Sequence, residues 1–131
     1  MKRSLGILAM LTIIFSACES EGEIPELGTC VQVRMLDSVC ATTVLQFVNT
    51  DLGEDGWAHH PTNDAVYDNV FTTTLTCSDW DRIPEGADTF WVRIIEEPLP
   101  DPGCAVCLAL PANAPETRFT VTVVDNCFQE R

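Results

Sequence analysis

Residues 118–124, Arg-Phe-Thr-Val-Thr-Val-Val, decide the fold class of this chain. In an extended chain Phe119, Val121 and Val123 point to one side, and Thr120 and Thr122 point to the other. Alternation of this kind is typical of a β-strand with one buried face, and β-branched residues favour that conformation. The stretch therefore predicts a strand whose apolar face packs on a core.

Four further stretches carry a strand signal. Residues 30–36, 42–48 and 89–96 alternate with the same period, and residues 66–77 are rich in the β-branched Thr72, Thr73, Thr74 and Thr76. The apolar faces of the alternating stretches comprise Val31, Val33 and Met35, then Leu45 and Phe47, then Phe90, Val92 and Ile94. The second face of residues 89–96 is also largely apolar, so this strand is expected in the interior of a sheet.

Turn-forming residues separate these stretches, at 51–63, 78–86, 98–103 and 111–115. No stretch beyond the N-terminal segment shows a sustained helical period. The pattern predicts an all-β domain, a small disulfide-stabilised antiparallel β-sandwich that is immunoglobulin-like in general architecture. The antibody-type spacing of Cys, Trp and Cys is not convincingly present, so the strand topology stays open, and no family is recognised for this domain.

The N-terminal segment has the three zones of a secretory signal peptide. Met1, Lys2 and Arg3 begin it, residues 5–15 are apolar apart from Thr12, and small residues follow at 16 and 17. An apolar run of about eleven residues is too short for a membrane-spanning helix, which needs roughly twenty. Residues 1–17 are therefore predicted to form a signal helix that is removed.

Residues Phe15-Ser16-Ala17-Cys18 resemble the lipobox of bacterial lipoproteins, although Phe15 stands where that family prefers Leu. The resemblance implies cleavage before Cys18 and acylation of Cys18 by palmitate-type chains, which anchors the product to a membrane. It predicts three parts: a lipoprotein signal peptide (1–17), an acidic flexible tether (18–28) and the β-sandwich domain (29–131).

The first residues of the tether bear on the membrane to which the product goes. Glu19, Glu21 and Glu23 resemble the surface-display signal of some Gram-negative lipoproteins, and Glu19 is not the Asp associated with retention at the inner membrane. We expect the bacterial outer membrane, with display at the cell surface. The alternative is a solvated linker whose charges carry no address.

Charge excludes some partners. The formal charge is −13, and loss of Lys2 and Arg3 with the signal peptide makes it two units more negative. The Lys and Arg residues that stay are Arg34, Arg82, Arg93, Arg118 and Arg131. Such a chain repels nucleic acid and anionic lipid headgroups.

The chain has seven cysteines, an odd number, and acylation of Cys18 leaves an even set. The disulfide candidates are Cys30, Cys40, Cys77, Cys104, Cys107 and Cys127, as three bridges in an oxidising compartment require. The sequence does not choose among their pairings. Cys104 and Cys107 form a C-x-x-C motif, but residues three apart on a strand face opposite sides, so different partners are expected for them.

Other chemical signals are weaker. The acidic residues Asp51, Glu54 and Asp55 faintly resemble a calcium loop but lack the EF-hand pattern, and His59 and His60 are expected to be surface loop histidines. Trp57 and Trp80 stand in predicted loops beside carboxylates, where they could contact a glycan or a protein, or could cover the ends of the core.

The sequence as a whole favours an envelope-anchored binding or structural module that is not an enzyme and has no cofactor or metal. Its expected partners are the membrane, through the lipid, and an envelope protein or a glycan. Two alternatives stay open: a thiol-disulfide oxidoreductase that uses Cys104 and Cys107, and a glycan- or calcium-binding surface module.

Overall fold

A computed structural model describes residues 26–59, 65–107 and 109–128 of the chain. Its elements are β1 (Cys30–Val39), β2 (Thr42–Phe47), β3 (Trp57–Ala58), β4 (Val66–Tyr67), β5 (Val70–Thr74), α1 (Cys77–Arg82), β6 (Phe90–Ile95) and β7 (Thr120–Val124). Within the described ranges, no helix has the length and apolar character needed to cross a membrane. The predicted signal peptide, Cys18 and residues 19–25 of the tether lie outside these ranges.

Five strands form one antiparallel sheet in the order β5-β2-β1-β6-β7. Thr72 of the outer strand β5 forms a parallel bridge with Arg118, which lies just before the other outer strand, β7. The Thr72 N–H donates to the Thr117 carbonyl at 2.8 Å, and the Thr72 carbonyl accepts from the Phe119 N–H at 3.3 Å. The two halves of the sheet therefore face each other across one core, while β3 and β4 form a separate pair.

The core is built from the alternating faces that the sequence predicts. All five strands of the main sheet contribute buried side chains to one cluster: Val31, Val33, Leu45, Phe47, Phe71, Phe90, Val92, Ile94, Val121 and Val123, with Leu75 after β5. Phe47 and Phe71 stack with ring centroids 4.4 Å apart, and Phe119 meets both rings edge-on. Strand β6 lies between β1 and β7, which confirms its predicted interior position.

The predicted fold class, an all-β, disulfide-stabilised small domain, is confirmed. Two local predictions are wrong. Residues 78–86 were expected to be a turn, but α1 occupies Cys77–Arg82, because a capping box rather than an amphipathic period starts this short helix. Strand β3 lies inside the predicted turn of residues 51–63, because pairing with β4 holds its two residues extended.

The six cysteines of the described residues are paired as Cys30–Cys127, Cys40–Cys107 and Cys77–Cys104. The pairs are nested: each bridge encloses the next, and the sequence separations are 97, 67 and 27 residues. Cys104 and Cys107 have different partners, as their spacing predicts. The bridges tie the start of β1 to the segment after β7, the β1–β2 turn to the 98–107 loop, and α1 to that same loop.

Gly53 allows a close approach of two backbone segments beside β5. Glu54 and Val70 exchange backbone hydrogen bonds of 2.8 and 2.9 Å, which adds the 51–56 loop to the edge of β5. A Cβ atom at Gly53 would overlap the backbone of Asn69 and Val70. Glycine is therefore required at this position for the loop to lie against the strand.

Candidate functional site

One groove of about 310 Å³ lies where α1, the β1–β2 turn and the 98–107 loop meet. The residues that line it, which we call the Trp80 groove, are Cys40, Ala41, Leu75, Cys77, Trp80, Ala105, Val106 and Cys107. Trp80 is half-buried and packs on the core, whereas Val106 is 43% exposed at the rim. Two disulfides, Cys40–Cys107 and Cys77–Cys104, hold the walls of the groove together.

Helix α1 positions Trp80 through the buried carboxylate of Asp79, which is 4% exposed. Asp79 Oδ2 accepts from the Thr76 N–H at 3.1 Å and from the Thr76 hydroxyl at 3.0 Å, which completes the capping box. Asp79 Oδ1 accepts from the Thr122 hydroxyl at 2.8 Å and from the Val123 N–H at 2.9 Å. One side chain thus starts the helix and fastens it to the outer strand β7.

A second carboxylate, that of Asp101, binds the same end of α1 from the 98–107 loop. It accepts from the Ser78 N–H at 2.9 Å and from the Ser78 hydroxyl at 3.0 Å. The bond from the Ser78 backbone is the largest of the interactions that lower the pKa of Asp101. Asp101 therefore works with the Cys77–Cys104 bridge to hold the loop against the helix.

Asp101, Cys77 and Cys104 lie close enough for their ligand atoms to share a metal ion. The two sulfur atoms, however, are joined to each other as a disulfide. A metal-binding cysteine supplies a thiolate, so the bridged form offers only the Asp101 carboxylate as a strong ligand. The cluster in this state is a structural clip.

Trp57 does not occupy the exposed loop position that the sequence predicts. It begins β3, is 4% exposed, and packs with Val44 and Val70 in a second, smaller cluster. Its indole N–H donates to the Asn113 carbonyl at 2.6 Å. Burial of the ring agrees with the alternative in which Trp57 covers the core.

His59 is also more enclosed than a surface loop histidine. Its side chain is 12% exposed, stacks on Trp57 with ring centroids 5.0 Å apart, and places Nε2 3.1 Å from Asp37 Oδ2. Tyr67 flanks both rings. The cluster covers the β3–β4 side of the domain, and His60 lies outside the described residues.

Two of the three carboxylates of the faint calcium loop, those of Glu54 and Asp55, bind the protein's own backbone. Glu54 accepts from the N–H groups of Glu116 and Thr117 at 3.0 and 3.1 Å, and Asp55 accepts from the Asn69 N–H at 3.0 Å. Asn69, which has a φ of +63°, binds the same loop through its side-chain amide. Its Oδ1 accepts from the N–H groups of Leu52 and Gly53, and its Nδ2 donates to the carbonyls of Phe47 and Thr50. Loop 51–56 is therefore ordered by its acids.

Sequence reasoning missed the roles of Asp79, Asn69 and the Asp37–His59 pair. A signal for Asp79 was present, because Thr76 followed three residues later by an acid is a capping-box pattern. Asn69 and Asp37 gave no comparable signal, since their partners are distant in sequence. Comparison with known proteins found no match to the chain among family models, curated proteins or solved structures.

Proposed function

We propose that this chain is an exported lipoprotein, anchored through Cys18, whose β domain acts as a binding or structural module of the bacterial envelope. The observation that supports export is the pairing of all six cysteines of the described residues into three bridges. Disulfides of this kind form and persist in oxidising compartments. Cys18 is then the seventh cysteine, at the position where the lipobox resemblance calls for an acylated residue.

Binding rather than catalysis is the proposed role of the domain. The carboxylates of Asp79 and Glu54 and the side-chain amide of Asn69 are engaged with the main chain, as groups with a structural role are. Cys104 and Cys107 are bonded to different partners, an arrangement of structural bridges rather than of a C-x-x-C redox pair. The Trp80 groove offers an apolar surface against which a partner's side chain can pack.

Intact mass of the protein expressed in a bacterium with lipoprotein processing tests the anchor. The expected product has lost residues 1–17, carries two or three acyl chains on Cys18 and partitions into detergent. The matched control is Cys18→Ser, which removes the acceptor thiol and leaves the other cysteines unchanged. A wild-type product with an unmodified Cys18, or one that retains Met1, would overturn the proposal.

Thiol labelling of the same purified protein tests the role of the bridges. Under denaturing but non-reducing conditions we expect none of the six described cysteines to react, since all are oxidised. A Cys104 that reacts readily in the folded protein would instead favour the oxidoreductase.

A further inference from the structure

A second pocket, of about 320 Å³, lies apart from the Trp80 groove at the end of β7. Its lining residues, which define the Arg82 pocket, are Arg82, Arg93, Val124, Asp125 and Asn126. The structure describes four arginines, at positions 34, 82, 93 and 118, and two of them meet here. With the carboxylate of Asp125 beside them, the pocket brings together charged groups of both signs.

Arg82 is held in place by the strand beside it. Its Nη1 donates to the Val123 carbonyl at 3.3 Å, and Asp79, one turn earlier on α1, binds the N–H of the same residue. A guanidinium has five N–H donors in a rigid fork, so one bond to the backbone orients the group and leaves donors for a ligand. Among the described residues no carboxylate forms an ion pair with Arg82.

Arg93 comes from the adjacent strand and faces the same space. It is paired in register with Thr122 across β6 and β7, and its side chain is half-buried on the outer face of the sheet. Partial burial lowers the effective dielectric around a charge, which strengthens its attraction for an anion. Regular sheet backbone beneath Arg93 fixes the direction from which its side chain enters the pocket.

Asn126 and Asp125 add one donor and one acceptor. Asn126 Oδ1 accepts from the Phe128 N–H at 3.0 Å, which directs its Nδ2 amide, a donor, away from that bond. Asp125 is exposed and lines the same pocket. The site therefore combines donors suited to an oxyanion with a carboxylate suited to a cation.

Long-range charge selects between ligands that satisfy these groups. A simple anion approaching the chain meets the repulsion of its net negative charge, and Asp125 opposes it again at the pocket. A ligand of zero net charge avoids the long-range repulsion. An ammonium group on that ligand is attracted by the Asp125 carboxylate rather than repelled by it. A bidentate arginine contact favours a planar carboxylate as the other half of the ligand.

We propose that the Arg82 pocket binds a small zwitterion that carries a carboxylate and an ammonium group close together, as an α-amino acid does. Arg82, Arg93 and the Asn126 amide bind the carboxylate, and Asp125 binds the ammonium group. This inference goes beyond the proposed envelope role and holds whether or not Cys18 is acylated.

The test titrates the full chain, purified in detergent with its disulfides intact, with L-alanine, acetate and inorganic phosphate. Amide resonances of Val124, Asp125 and Asn126 are followed by NMR. We expect saturable shifts at these residues with L-alanine, at least several-fold weaker binding of acetate, and the weakest binding for phosphate. Absence of saturable shifts with L-alanine, or equal or tighter binding of phosphate, overturns the zwitterion assignment.

Variants tie the response to the pocket. Arg93→Gln and Arg82→Gln are each expected to weaken L-alanine binding roughly ten-fold or more, the loss typical of one charge-assisted contact. Arg34→Gln removes an exposed arginine on β1 and is expected to leave binding unchanged. Asp125→Asn should weaken L-alanine and strengthen acetate, a reversal that a general loss of folding would not produce. Equal effects of Arg34→Gln and Arg82→Gln would contradict the proposal.

Discussion

Replacement of Asp79 by alanine is expected to be among the most destabilising single changes in the described part of the chain. The carboxylate accepts four hydrogen bonds, two from Thr76 and one each from Thr122 and Val123. Asp79→Ala leaves the Thr122 hydroxyl and the Val123 N–H without their acceptor in a buried place. The Val123 N–H is fixed by the backbone of β7 and cannot turn toward water.

The magnitude follows from these contacts. Each buried donor left unsatisfied costs about 1–3 kcal/mol, and loss of the acidic half of the capping box adds about 1 kcal/mol. The free energy of unfolding should therefore fall by about 3–7 kcal/mol, and Tm by roughly 12 °C or more for a domain of this size. Asp79→Asn should cost about half as much, because its amide oxygen still serves one pair of donors while its NH2 group meets the other pair.

Urea and thermal unfolding of the full chain, with the bridges intact, measure these losses. The matched control is Asp81→Ala, which removes an exposed acid from the same helix and is expected to change stability by less than about 0.5 kcal/mol. Hydrogen exchange at the Val123 amide provides a local readout and should accelerate in Asp79→Ala. If the two alanine variants differ by less than about 1 kcal/mol, the argument for Asp79 as the fastening of α1 is refuted.

Two further predictions concern the loops. Gly53→Ala places a methyl group against the backbone of Asn69 and should lower the free energy of unfolding by about 3 kcal/mol, the upper end of overpacking costs. The midpoint of denaturant unfolding measures this loss. A change below about 0.5 kcal/mol would contradict the close approach of the two backbone segments. Asp101 has a lowered pKa, so its ionised form stabilises the fold at pH values above its ordinary pKa of 3.8, and that stability is lost as pH falls through the lowered pKa. Acid unfolding of Asp101→Asn should consequently depend less on pH in this range than that of the wild type, and identical acid profiles would argue against the role of Asp101.

The strands of the main sheet could be predicted from sequence because their signal is local. Val121 and Val123 in β7, or Phe90 and Val92 in β6, show the alternation within a few residues, and burial on one face follows from it. The interior position of β6 followed from its largely apolar second face, which includes Trp91. Local pattern therefore recovered the strands and their core-facing residues, and the strand order came from the structure.

Features set by distant contacts could not be predicted in the same way. Trp57 is buried because Tyr67 pairs with it and Asn113 accepts from its indole, and these partners are ten or more residues away. Helix α1 is too short to show a helical period and depends on Asp79 reaching β7. Disulfide pairing likewise requires knowing which turns meet, as Cys40 and Cys107 do across 67 residues.

If the chain is exported, as we propose, the nesting of its three bridges has a consequence for how it matures. A chain that crosses a membrane from its N-terminus presents Cys30 and Cys40 first, and an oxidant acting on neighbours in order of arrival would join these two. Of the native pairs, only Cys77–Cys104 unites consecutive cysteines of the six. Cys30 must wait for Cys127, the last to emerge, so correct maturation of the exported chain would depend on delayed oxidation or on an isomerase that exchanges early mispaired bridges.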